Sequence, residues 1–142
     1  MLLSIINKSI REATDIVQKG KEDAIWRVEE TLWDARQQII DHKGYNVPAP
    51  FRKRKEKLAN LFWDSNKIYQ IRRQAAEASM KHILKTAVYF YSILEPIGIH
   101  IELDRARMLA IRYEIDLNNY PDFQYLKSEY HKNNLFMLNL NN

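Results

Sequence analysis

Glycine and proline interrupt this chain at only seven positions: Gly20, Gly44 and Gly98, and Pro48, Pro50, Pro96 and Pro121. All seven fall between stretches whose apolar residues recur every three or four positions. Long uninterrupted segments with that period fold as helices, because three- and four-residue steps return to the same side of a helix and to no single side of a strand. The chain is therefore predicted to be all-α. Its 142 residues suit one domain, so a single-domain bundle of five to six helices is expected over 1–131, with 132–142 as a flexible tail.

The first helix is predicted over 2–19, with Leu2, Ile6, Ile10, Ala13 and Val17 on one stripe. The second runs over 22–42. Ile25, Val28, Leu32, Ala35 and Ile39 form one of its stripes, and Trp26, Trp33 and Ile40 form another. Two adjacent stripes imply two packing neighbours, and Trp26, Trp33 and Trp63 are expected in the core. A third helix over 51–64 turns Leu58, Leu61 and Phe62 inward. Ser65 or Asn66 caps a fourth that runs to Leu94, where Pro96 and Gly98 stop it. Its inner stripe is Ile68, Ile71, Ala75, Ser79, Ile83, Ala87, Phe90 and Leu94. A fifth helix covers 102–117, and Pro121 opens a short sixth. In the tail Phe136, Leu138 and Leu140 alternate with Met137 and Asn139, which fits a frayed end better than a strand or a partner-binding peptide.

No cysteine is present, which removes disulfides, thiolate metal sites and cysteine nucleophiles and favours a cytoplasmic location. The apolar Met1 to Ile6 is too short for the core of a signal peptide and lacks preceding cations. No run approaches eighteen apolar residues, so no membrane span is expected.

The net charge of +4 is unevenly distributed. Residues 1–42 carry six basic and eight acidic side chains, and residues 86–142 carry five and seven. Between them, 43–85 hold eleven basic residues against three acidic ones, a local net charge of +8. Arg52, Lys53, Arg54, Lys55 and Lys57 crowd the start of the third helix, where the helix terminus already carries partial positive charge. On the fourth, Lys67, Gln70, Gln74, Glu77, Lys81 and Lys85 share one face, with Arg72 and Arg73 beside it. Cations interleaved with amides suit the nucleic-acid backbone, which offers charge and acceptors but no sequence. Trp63 and Tyr69 are placed to stack on unpaired bases. A solvated face, an acidic protein or an anionic surface would use the same charges.

Constellations with chemistry are sparse. His42, His82, His100 and His131 are scattered, and none has a carboxylate three residues before it, as di-iron bundles require. The triplet His100, Ile101, Glu102 lacks the cysteines of a deaminase. Glycine-rich phosphate loops, serine elbows and zinc-protease motifs are absent. No metal, cofactor or catalytic residue is assigned. Of the adjacent aromatics Tyr89, Phe90 and Tyr91, at least one is expected at the surface, where it would suit a protein interface.

Two resemblances bear on function. Arg36 followed by His42 resembles the ribonuclease motif of HEPN-type helical domains, and the run Gln74 to Glu77 followed by Met80 and Lys81 resembles a helix common in that superfamily. Against it, positions six apart do not share a helical face. The segment Phe51 to Leu58, the following Leu61, Phe62 and Trp63, and the aromatic stretch Val88 to Leu94 resemble the small subunit of multisubunit CRISPR effector complexes. The nearest form is the helical C-terminal domain of the large subunit in type I-D-like systems. That resemblance implies a non-catalytic antiviral-defence subunit that holds guide RNA and the target or displaced DNA strand by backbone contacts. Its partners would be other effector subunits and copies of itself, and base pairing would read the sequence. Its contact residues would be Arg52, Lys53, Arg54, Lys55, Lys57, Lys67, Arg72, Arg73, Lys81 and Lys85. The alternatives are a HEPN-like ribonuclease or toxin–antitoxin protein, and a helical protein–protein adaptor.

Overall fold

The computed structural model describes residues 2–41 and 49–133, with side chains over 2–41 and 53–129. Among the described residues six α-helices follow one another: α1 (Leu2–Lys19), α2 (Ala24–Ile40), α3 (Ala49–Trp63), α4 (Asn66–Ser92), α5 (Pro96–Tyr113) and α6 (Pro121–Asn133). A 3-10 turn, Leu117–Asn119, lies between the last two. Among the described residues there is no strand, so the molecule is all-α. The tail expected from 132 starts inside α6. Residues 134–142, with Phe136, Leu138 and Leu140, lie outside the described part.

Backbone contacts gather the chain into two compact units, 1–78 and 79–142, with the boundary inside α4. In the first unit α1 packs on α2 and α2 on α3. Its core is the predicted α2 stripe of Ile25, Val28, Leu32, Ala35 and Ile39, joined by Ala13, Ala59, Phe62, Ile68, Ile71 and Ala75. Gly20, with φ of 57°, ends α1 in the left-handed conformation that glycine adopts without steric penalty. Ser65 begins α4: its Oγ accepts from the backbone N–H of Ile68 at 3.4 Å and donates to the carbonyl of Phe62 at 2.8 Å.

The tryptophans depart from expectation. Trp26 and Trp33 are each 43% exposed, and Trp63 is half-buried. Of the two stripes on α2 the aliphatic one is buried, because branched and small side chains let helices approach closely and an indole does not. The inward face of α3 is also narrower than predicted. Ala59 and Phe62 are buried, while Leu58 and Leu61 are 48% and 60% exposed.

In the second unit Met80, Ile83, Leu84, Ala87, Ile99, Leu103, Ala106, Tyr113, Phe123 and Leu126 are buried. The fifth helix starts six residues earlier than its stripe suggested, and the two residues read as stop signals account for this. Pro96 occupies the first turn, where a missing N–H costs nothing. Gly98 lies inside α5 because the ring of Phe90 covers it: a Cβ there would meet ring atoms at 2.6–2.7 Å.

The predicted ends of the fourth and fifth helices also move. Leu94 (φ 57°) and Glu114 (φ 54°) are left-handed. Behind them the N–H of Glu95 donates to the Phe90 carbonyl, and that of Ile115 to the Ala110 carbonyl, both at 2.9 Å. These are the six-to-one bonds of a Schellman ending with a side chain in the place usually taken by glycine. Leu94, expected on the inner stripe, is consequently 64% exposed. A further tie joins α4 to α6, where the Tyr91 hydroxyl donates to Glu129 Oε2 at 3.0 Å and the Tyr91 ring meets Tyr125 edge-on.

Candidate nucleic-acid interface

The basic run lies on the first two turns of α3, beginning at Ala49. Lys53, Arg54 and Lys57 are exposed and Lys55 is half-buried. The side chain of Arg52 lies outside the described part. Lys53 and Lys57 stand one turn apart, as do Arg54 and Lys57. Like charges at that spacing destabilise a helix by about 0.2–0.5 kcal/mol per pair. Glu56 is the only acid on this helix. Lys67, in the first turn of α4, is exposed as well.

The two arginines of the first unit's part of α4 are engaged with their own protein. The guanidinium of Arg72 lies 4.1 Å above the Trp63 ring, and its Nη2 donates to the Trp63 carbonyl at 3.1 Å. It thereby closes the last turn of α3, where carbonyls lack helical partners and a cation is favoured. Arg73 pairs with Glu77 at 3.1 Å. Lys81 and Lys85 belong to the second unit and are exposed one turn apart. Of the expected contact residues, Lys53, Arg54, Lys57 and Lys67 form an exposed set with the half-buried Lys55, Arg72 and Arg73 are engaged, and Lys81 and Lys85 are an exposed pair in the second unit.

Trp63 and Tyr69, the rings expected to stack on bases, both lie beside Arg72, whose guanidinium is 6.0 Å from the Tyr69 ring. Trp63 carries Arg72 over its face and meets Trp33 edge-on at 5.1 Å between centroids. Arg36 in turn lies 4.4 Å above Trp33, and its Nη2 donates to Asn60 Oδ1 at 2.8 Å. The result is a pair of edge-on indoles with a guanidinium over each, spanning α2, α3 and α4. Sequence reading missed it because its members come from three separate helices. The only trace was the seven-residue spacing of Trp26 and Trp33, which marks one face of α2 without saying what meets it.

The same arrangement occupies the arginine of the ribonuclease-like motif, while His42 lies outside the described residues. Among the described residues no group of three or more metal-ligating side chains converges. A cavity of about 140 Å³ lined by Lys8, Glu12, Thr31, Asp34 and Gln38 separates α1 from α2, well below the roughly 300 Å³ of a small ligand site. Of the three adjacent aromatics, Tyr89 is exposed, Phe90 covers Gly98 and Tyr91 is tied to Glu129. No described helix is long and apolar enough to cross a membrane. No family model, no curated protein and no solved structure matches the chain.

Proposed function

We propose that this chain is a non-catalytic subunit that holds nucleic acid by its phosphates, with α3 as the principal contact. One observation carries the reading: Lys53, Arg54 and Lys57 stand exposed on consecutive turns, at a cost to their own helix and with a single acid on that helix. Successive phosphates along a strand are natural partners for cations on successive helical turns, and such contacts are blind to sequence. Leu58 and Leu61, exposed one turn beyond Arg54 and Lys57, offer apolar surface to sugars. Lys67 extends the charge, and Lys81 and Lys85 supply a second, smaller contact. In its finer form the reading is a small subunit of a CRISPR RNA-guided effector complex, with guide RNA, target or displaced DNA, other effector subunits and further copies of itself as partners. The resemblance of Phe51 to Leu58, Leu61 to Trp63 and Val88 to Leu94 is what supports that form.

The test is fluorescence anisotropy of labelled single- and double-stranded DNA and RNA across a salt series. Binding without sequence preference is expected, with a logarithmic salt slope on the order of −3 for three to four neutralised phosphates. Reversing Lys53, Arg54 and Lys57 together to glutamate is expected to lower affinity by about 100-fold or more at low salt, with helicity unchanged by circular dichroism. Equal binding by that variant would overturn the reading.

A further inference from the structure

Helix α5 has two apolar faces. Ile99, Leu103, Ala106, Leu109 and Tyr113 are buried on the inner one. On the opposite side Ile97 is 71% exposed, Ile101 51%, Met108 62% and Ile111 82%. With Asp104 they step by four, three, four and three residues, the spacing of a coiled-coil seam. Large apolar side chains scattered over a surface are ordinary, but four on a single stripe mark a binding face.

The pattern and its charges identify the occupant. It reaches seven residues to either side of Asp104, so two copies of α5 crossing antiparallel at that position match end to end. Ile97 then meets Ile111 of the second copy, and Ile101 meets Met108. The Asp104 side chain is 71% exposed beside its own Arg107 at 3.7 Å, and Arg105 is 51% exposed beside Glu102 at 3.6 Å. Antiparallel crossing places both Arg105 guanidinia on one flank with both Asp104 carboxylates beside them, two charges of each sign. Parallel pairing would instead oppose Arg107 to Arg112 of the second copy on each flank, and like charges at those flanking positions select against a partner orientation.

We infer that the outer face of α5 is a homodimer interface, closed by an antiparallel α5 of a second copy with Asp104 at the two-fold axis. This inference deepens the self-association proposed above, yet it stands on α5 alone and is tested without nucleic acid, so its failure is separable from failure of the phosphate-binding reading.

The experiment is sedimentation equilibrium of the full chain, followed by cysteine cross-linking. A mass twice the 17.0 kDa of one chain is expected, returning to one chain's mass in Met108→Asp and Ile111→Asp with helicity retained; both sites are exposed enough that folding does not depend on them. The natural sequence has no cysteine, so single introduced thiols report cleanly. Asp104→Cys is expected to cross-link to itself. Ile97→Cys and Ile111→Cys are expected to cross-link as a mixture but not alone. A monomer at every concentration overturns the inference and assigns the face to another protein or to residues 134–142. Self-linking at all three positions overturns it in favour of a parallel pair.

Discussion

Helices α3 and α5 each bury one face and turn the other to solvent, but they differ in what they show. The outer side of α3 is mainly cationic, with Lys53, Arg54 and Lys57 beside Leu58 and Leu61. That of α5 is a stripe of Ile97, Ile101, Met108 and Ile111. Hydrated charges are what a surface normally carries, so the cations of α3 imply a partner only through their crowding on one short stretch of helix. Each side chain on this stripe, half or more uncovered, forgoes a large part of the roughly 1.5–3 kcal/mol that full burial would provide. A partner is therefore demanded more strongly by α5 than by α3, although composition draws attention to α3 first.

That contrast can be broken or sharpened by substitution. The largest expected effect is on the inner side of α5: Leu103→Ala, at a fully packed position, is expected to lower unfolding free energy by about 2–5 kcal/mol in urea titration. Gly98→Ala should follow, costing about 1–3 kcal/mol, because its Cβ enters space held by the Phe90 ring. Arg72→Ala should cost about 1 kcal/mol through loss of the Trp63 stack and the bond to its carbonyl, visible also as a change in tryptophan fluorescence. Smallest are the two outer faces. Ile111→Ser and Lys53→Gln are each expected to shift stability by no more than about 0.5 kcal/mol, measured at concentrations too low for pairing. Should Ile111→Ser destabilise the isolated chain as Leu103→Ala does, α5 has no free outer face and the contrast with α3 dissolves.

The helices themselves were legible because their apolar periods are long and the breakers few. The aliphatic stripe of α2, the serine cap of α4 and the opening of α6 at Pro121 all follow from local chemistry. Boundaries failed where a residue did an uncommon job. Leu94 and Glu114 end helices in a conformation usually given to glycine, so nothing in their identity announced it. Gly98 looked like a terminator, and its reason is a ring from another helix. Faces failed where two apolar stripes competed: periodicity locates Trp26 and Trp33 on α2 and Leu58 and Leu61 on α3, but only packing decides which side is covered. At the candidate interface the cations of α3 were readable as a run of charge. The capture of Arg72 by Trp63 depended on a contact between residues nine positions apart across a helix boundary, and sequence spacing does not encode it.

The Phe90–Gly98 contact has a consequence for uniqueness as well as for packing. A helix apolar on two opposite sides offers a bundle a nearly degenerate choice, since half a turn about its own axis would exchange the buried stripe for the exposed one. The bare Cα of Gly98 admits the aromatic ring from one direction only, and so keys the rotational setting of α5 as a notch keys a shaft. Gly98→Ala should accordingly do more than loosen the unit. It should narrow the gap between the two settings and let the alternative become populated, with exchange broadening along α5 in NMR spectra where single sharp resonances are expected from the natural sequence.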